Sequence, residues 1–467
     1  MGEHPVVVIG AGPVGLAAAA HLAERGLDFV VLESGPGVAA AISEWRHVKL
    51  FSPWRYNLDA AARRLLEASG WSAPDLDALP TGGDLIDAYL EPLTKLPQLD
   101  GKIQYGAEVV AITRAGFDRV RTAGRADAPF LIRLADSTEL LAAAIVDASG
   151  TWQTPNVLGA SGLPAHGESP SVPGTSGLPT NNHIARALPD VLGADRERYA
   201  GRRTAVVGAG HSAATTLLDL GRLAEEAPGT EILWVVRGTD QARTYGGGAA
   251  DELPARGALG SRLQRLVQSG RIELISSFRI ESVRTTNGRT ELTSGNRTVS
   301  ADTVVNSTGF RPNHAIASEL RVDLDPILGS TRALAPLIDP NQHSCGTVPP
   351  HGVDELAHPE PGYYAIGAKS YGRAPTFLLA TGYEQARSVV AALADDWAAA
   401  RNVELNLPQT GVCSSNLDSD LSSSSCCGPA PEPIQLTAAP GSRDILTVLG
   451  QIPAAGVESG QGRSLQS

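Results

Sequence analysis

The sequence predicts an α/β protein of two three-layer domains, one threaded through the other, followed by a polar tail. Two observations carry this expectation. An apolar run leading into a glycine turn occurs twice, as Val6-Val-Val-Ile-Gly-Ala-Gly-Pro-Val-Gly15 and as Thr204-Ala-Val-Val-Gly-Ala-Gly-His-Ser-Ala213. A second near-repeat, of a strand, a Ser/Thr-Gly turn and an aromatic residue, flanks the second run at 141–156 and 303–313.

Each glycine turn has the form of a dinucleotide-binding fingerprint. In the first, Gly10 makes the tight turn, Gly12 admits a pyrophosphate to the backbone, and Gly15 lets the helix opened by Pro13 pack close to the strand. The pyrophosphate then meets free amides and the positive end of the helix dipole. The next strand, Phe29-Val-Val-Leu-Glu33, ends on a carboxylate, with Ser34 beside it, placed to accept ribose hydroxyls as in FAD or NAD sites. In the second fingerprint Gly208, Gly210, Ser212 and Ala213 take the corresponding places, and Ile232-Leu-Trp-Val-Val-Arg237 ends on a guanidinium suited to a 2′-phosphate. Two Rossmann-like units of opposite ribose chemistry imply FAD held in the first and NADPH visiting the second. His211 has two roles open to it, facing the nicotinamide or hydrogen-bonding at the helix start.

Composition agrees with a globular enzyme. The chain has 467 residues, 42% of them hydrophobic, enough for two or three domains. A net charge of -12 argues against a nucleic-acid partner. Strand-forming residues begin almost at the N-terminus, and no apolar stretch is long enough to span a bilayer, so a cytoplasmic protein without a membrane partner is expected. Four cysteines are too few for a disulfide scaffold in a chain of this length.

The near-repeat sets the domain organisation. Asp147-Ala-Ser-Gly150-Thr-Trp152 and Asn306-Ser-Thr-Gly309-Phe310 read as the two crossings between domains. The expected divisions are a first FAD-domain piece at 1–158, a Gly/Pro/Ser-rich loop and linker at 159–198, and an NADPH domain at 199–305. The second FAD-domain piece at 306–407 and a disordered, cysteine-containing tail at 408–467 complete the set. Gly362-Tyr-Tyr-Ala-Ile-Gly367 reads as a strand and turn leading to a helix through Gly382.

With these residues in place, the first 400 or so positions resemble the two-dinucleotide-binding flavoproteins. Within these they are similar to flavin-containing monooxygenases and to bacterial flavoproteins associated with arsenic- and metal-resistance operons. The resemblance implies that Gly10, Gly12 and Gly15 line the FAD pyrophosphate, that Glu33 meets the ribose, and that Val109 lies at the adenine. Trp45, Arg46, Leu50 and Ser52 would approach the isoalloxazine. Gly208, Gly210, His211, Ser212, Ala213 and Arg237 would hold NADPH, and Ser149, Gly150, Thr308, Gly309, Gly367 and Thr376 would complete the cofactor contacts. It further implies hydride transfer to the flavin and a C4a-hydroperoxide that oxygenates sulfur, nitrogen or trivalent arsenic, with dioxygen as co-substrate and a homodimer as one candidate assembly. Two departures stand out. The motif FxGxxxHxxx(Y/F) expected before the second fingerprint is replaced by Leu178-Pro-Thr-Asn-Asn-His-Ile-Ala-Arg-Ala-Leu-Pro. Ala368 follows Gly367 where flavin disulfide reductases carry Asp, and no CxxC or CxxxxC spacing occurs, which argues against a dithiol relay.

The sequence names no catalytic residue. Cys413 and the adjacent Cys426-Cys427 could gather a thiophilic ion in the tail, because soft thiolates select such species, or could be incidental. A metalloid reductase fed by these thiols, or a non-catalytic metalloid sensor, is therefore the alternative to a monooxygenase. Cys345, between His343 and His351, lacks the paired spacing of a zinc site and reads as part of a turn.

Overall fold

The computed structural model describes residues 3–168, 183–246, 253–343, 348–375 and 377–404. The expected tail, all four cysteines and Thr376 lie outside the described residues. In chain order the first strands are β1 (Val6–Ile9), β2 (Phe29–Glu33), β3 (Ile103–Tyr105), β4 (Val109–Arg114), β5 (Phe130–Leu134), β6 (Glu139–Ala142) and β7 (Ala144–Asp147). Next come β8 (Ile184–Arg186), β9 (Arg203–Val207), β10 (Glu231–Val235) and β11 (Glu273–Ile275). The last are β12 (Ser282–Thr286), β13 (Arg289–Ser294), β14 (Arg297–Ala301), β15 (Thr303–Asn306) and β16 (Tyr363–Ala365).

Two parallel five-stranded sheets form the two layers that matter for function, in the orders β16-β7-β1-β2-β3 and β11-β10-β9-β15-β8. Their central strands are continuous apolar runs because both faces are covered, and all four residues of β1 and of β7 are buried. The first sheet is assembled from both ends of the described chain, since β16 pairs beside β7. Two antiparallel three-stranded sheets, β4-β5-β6 and β12-β13-β14, are appended.

The helix Pro13–Glu24 is buried along Pro13–Leu22, far more than a surface helix. It lies between the first sheet and the helix Leu379–Leu393, which buries Thr381–Ala392. Small residues permit that crossing: a Cβ at Gly382 would sit 2.6 Å from Val14. The helix His211–Glu226 is one-sided instead, burying Ala213, Ala214, Thr216, Leu217, Leu220, Gly221 and Leu223. Its Gly221 meets Leu266 of the helix Pro254–Gln268.

The span 159–198 is not loop throughout. Within it β8 pairs in parallel with β15 and forms the edge of the second sheet, and a short helix occupies Arg196–Tyr199. Only three residues form β8, and two of them are polar or partly exposed, so no periodic signal distinguishes the strand from its loop-rich surroundings. Its place comes from a neighbour, β15, more than a hundred residues away in sequence.

The two crossings are a structural repeat as well as a sequence repeat. After β7, Ala148 N donates to Ile9 O at 2.9 Å; after β15, Ser307 N donates to Val207 O at 2.8 Å. Asp147 Oδ1 accepts from Ser149 N and Oγ, and Asn306 Oδ1 accepts from Thr308 N and Oγ1 in the same pattern. Gly150 and Gly309 then turn with φ of 69° and 93°, a region that disfavours side chains. Beyond the turns the crossings pair with each other antiparallel at Pro155 and Phe310, bonded by Asn156 N to Gly309 O and Arg311 N to Thr154 O.

Candidate nucleotide and redox site

Both fingerprints open at the carboxyl ends of their sheets, where strand order reverses and α/β ligands bind. Their glycines divide the labour in the same way. A Cβ on Gly10 would lie 2.8 Å from Ala148 O, and one on Gly208 would lie 2.1 Å from Ser307 O. Positive φ values of 99° and 137° add to that restriction. A Cβ on Gly15 would strike Gly10 O at 1.9 Å, whereas Ala213 is accommodated as a buried helix residue. Gly12 and Gly210, by contrast, have no atom within 4 Å of a built Cβ. These two are the N-caps of their helices, and neither helix has a side-chain cap. Open space beside uncapped first-turn amides is what a pyrophosphate requires, so the residues fit a dinucleotide at each turn.

Glu33 is buried and already organised. Its Oε2 accepts from Ala11 N and its Oε1 from Gly35 N, both at 2.7 Å, with Ser34 Oγ 3.4 Å from Oε1. A carboxylate has about four acceptor sites, so ribose hydroxyls can still bond to it. Val109 begins β4 nearby, where Ala107 N donates to Glu33 O. Arg237 is exposed at the end of the second ribose strand and shares a cleft of about 690 Å³ with Arg279, His166 and Pro164. Gln241 Nε2, a few residues on, is buried with no partner among the described residues. Nearby, Thr244 Oγ1 holds Ala209 O at 2.8 Å. Sequence reasoning missed Arg279, Gln241 and Thr244, which no motif marks.

Between the two turns stands an aromatic wall. Trp152 and Phe310, one from each crossing, have ring centroids 4.9 Å apart, and Trp45 lies 6.4 Å from Trp152. Gly82 backs Trp45, since a Cβ there would come within 2.9 Å of its ring. Trp152 Nε1 is buried with no hydrogen-bond partner among the described residues, an orphaned donor at the place where the flavin is expected. Phe51 approaches the His211 ring at 5.0 Å, which brings the Leu50–Ser52 stretch to the start of the second fingerprint helix. Ser52 Oγ donates to Asn57 Oδ1, and Arg46 extends away to Asp87 at 2.7 Å. Ser212 serves its own helix, its carbonyl accepting from Thr216 Oγ1.

At the first crossing, packed against the first turn, lies a sealed charge pair that the sequence did not single out. Lys369 Nζ donates to Asp147 Oδ2 at 2.6 Å and to Ser149 Oγ at 3.0 Å, while Tyr363 OH donates to the same Asp147 oxygen at 2.9 Å. Burial opposes ionisation of Asp147, but Lys369 and Ser149 outweigh it and hold the carboxyl below its ordinary range. Burial and the Asp147 charge together push the Tyr363 phenol well up. His314 and His358 stand near this group, both pushed down chiefly by burial, His358 to about 4, so neither adds charge at neutral pH. Gly367, two residues before Lys369, has a φ of 71°, donates its amide to Gln385 Oε1 at 2.7 Å, and would bring a Cβ to 3.4 Å from Val14. Among the described residues there is no cluster of three or more His, Cys, Asp or Glu suited to a metal, and no helix is long and apolar enough to cross a membrane.

Comparison with known proteins agrees with this architecture. The bacillithiol disulfide reductase of Bacillus cereus superposes with a TM-score of 0.59 at 16% identity, covering 84% of this chain and 99% of that one. The FAD-bound cadaverine monooxygenase of Erwinia amylovora gives 0.57 at 15% identity, covering 87% and 97%. The ornithine N-hydroxylase of Kutzneria gives 0.55 at 17% identity, covering 84% and 99%. At these identities the likeness is one of fold. No curated protein matches the sequence. A family model described as pyridine nucleotide-disulphide oxidoreductase matches residues 7–328, most of the described chain and both fingerprints. The chain belongs to the pyridine nucleotide-disulphide oxidoreductase family.

Proposed function

We propose that this oxidoreductase holds FAD at the first turn, takes electrons from NADPH at the second, and passes them to dioxygen to oxygenate a soft nucleophile. Thiols, amines and trivalent arsenic are the substrate classes proposed, the last with a role in arsenic resistance. The observation that carries this reading is an aromatic wall between the two turns, in a chain whose cysteines nowhere have CxxC or CxxxxC spacing. When bound, FAD supplies hydride acceptance and the subsequent reaction with dioxygen. The chain's own residues bind, orient and exclude water. First-turn amides after Gly12 face one pyrophosphate, and those after Gly210 face the other. Glu33 receives the adenosine ribose of FAD, and Arg237 the 2′-phosphate of NADPH. The Trp45–Trp152–Phe310 wall keeps water from the reacting face, and the Trp152 indole N–H offers a donor to whatever occupies it.

The test is turnover of NADPH under isotopically labelled dioxygen with a thiol, an amine or arsenite. Label in the product supports oxygenation. NADPH oxidation that neither dioxygen nor any of these nucleophiles accelerates contradicts it. Cys426-Cys427 favour a second reading, a metalloid reductase. In that case Cys426→Ser/Cys427→Ser abolishes turnover while reduction of the flavin by NADPH is unchanged.

A further inference from the structure

Arg311 and Arg373 stand on neighbouring segments, close enough for the charge of one to act on the other. Arg311 directly follows Phe310 of the aromatic wall. Its Nε donates to Asn156 Oδ1 at 3.0 Å, and Asn156 is itself fixed by Thr308 O and Gly309 O. Arg311 is half-buried, and its two terminal nitrogens have no partner among the described residues. Arg373 lies four residues beyond Lys369, with its amide bonded to Leu328 O at 2.8 Å. The loop at Leu328–Gly329 brings the two together. A Cβ on Gly372 would strike Leu328 O at 2.1 Å, and one on Gly329 would come within 3.2 Å of Pro312.

Burial and the neighbouring Arg373 charge both lower the pKa of Arg311 from its usual value, the direction expected when like charges lie close. Elsewhere in this chain the interdomain guanidinium of Arg186 has Glu44 at 2.9 Å, and Arg46 has Asp87. No carboxylate stands within ion-pair distance of Arg311 or Arg373 among the described residues. Like charges held near one another favour an anion between them, and the Arg311 fork, anchored at Nε, presents its outer edge for bidentate binding.

We propose that Arg311 and Arg373 form an anion subsite beside the aromatic wall, which holds the carboxylate or an equivalent monoanionic group of the substrate. The substrate class that follows is a small organic anion with an apolar or aromatic body, lying against Trp152 and Phe310. This rests on the placement of the flavin at the first turn. The same cations could instead meet a phosphate of a bound nucleotide, and the test separates the two sources.

Full-length protein loaded with FAD is titrated with benzoate and, separately, with its neutral isostere benzamide, following the flavin's visible band. Benzoate should perturb the band saturably, and benzamide should not. Arg373→Gln, at an exposed side chain, should weaken benzoate by about tenfold or more, as loss of a charged hydrogen bond requires, with affinities for FAD and NADPH unchanged. Arg311→Lys, which keeps the charge and loses the fork, should weaken it less. A flavin-loaded protein that ignores benzoate, responds equally to benzamide, or binds benzoate unchanged after Arg373→Gln overturns the subsite alone. Weaker FAD or NADPH binding in Arg373→Gln overturns it in favour of a cofactor phosphate. A chain that takes up no flavin overturns both the subsite and the reading on which it rests.

Discussion

Lys369 donates to Asp147 across 2.6 Å, and neither side chain reaches solvent. Sealing two charges is expensive, and the Coulomb gain offsets it only where further hydrogen bonds complete the geometry. Here Ser149 and Tyr363 supply them, so the ion pair is locked to the turn that packs on Gly10. In the corresponding place of the second crossing stands the neutral Asn306, whose amide donates to Asn156 O instead.

Removing one partner of that pair should be severe. Lys369→Met leaves Asp147 buried and unpaired and should cost about 3–5 kcal/mol in urea denaturation, while the double variant Lys369→Met/Asp147→Leu should recover part of the loss. The folded carboxyl lies below its ordinary range. Its stabilisation is therefore full at neutral pH and is lost as pH falls through the ordinary carboxylate value towards the folded one. Asp147→Asn should flatten that part of the acid limb.

The two glycine turns can be tested independently. Gly15→Ala places a Cβ 1.9 Å from Gly10 O and should yield protein that purifies without flavin. Gly208→Ala, strained at φ 137° and 2.1 Å from Ser307 O, should retain the flavin but lose its reduction by NADPH. Loss of flavin in Gly208→Ala with retention in Gly15→Ala would reverse the assignment.

Both turns were legible in the sequence because they are local: an apolar strand, three small residues and a helix within a dozen positions. The crossings were legible because Asp147-x-Ser-Gly and Asn306-x-Thr-Gly repeat the same side-chain-to-backbone turn. Three features were not legible. β8 is three residues long and acquires its identity only by pairing with β15. Lys369 reads as a surface lysine until β16 brings its loop against Asp147, more than two hundred residues earlier. Arg311 and Arg373 belong to separate segments that the loop at Leu328–Gly329 packs against. Long-range pairing of charges leaves no periodic trace in a single sequence.

Arg237 should decide between the two pyridine nucleotides. It is exposed beside a cleft and close to Arg279. Arg237→Gln should raise the KM for NADPH by about 10- to 100-fold, the range for a lost charged hydrogen bond, and leave NADH nearly unchanged. Equal effects on both would place the 2′-phosphate elsewhere.

Asp219, on the second fingerprint helix, should give a pH dependence of opposite sign to Asp147. Burial lifts its carboxyl to about 6 against the pull of Arg222 and His47, with a further push from Asp190. A raised carboxyl stabilises the fold fully below the unfolded value of about 3.9 and loses that contribution as pH rises through the folded value. Thermal unfolding of Asp219→Asn across this window should lack the decline seen in the parent, a contribution of up to about 3 kcal/mol at ~1.4 kcal/mol per unit.

The most direct measurement of the central claim is an anaerobic titration of the FAD-loaded chain with NADPH, followed by air. One equivalent of NADPH should bleach the flavin's visible band, and dioxygen should restore it without any added disulfide. A band that NADPH leaves unchanged, or one that recovers only when a disulfide or metal ion is supplied, would contradict electron flow from the second turn through the first to dioxygen.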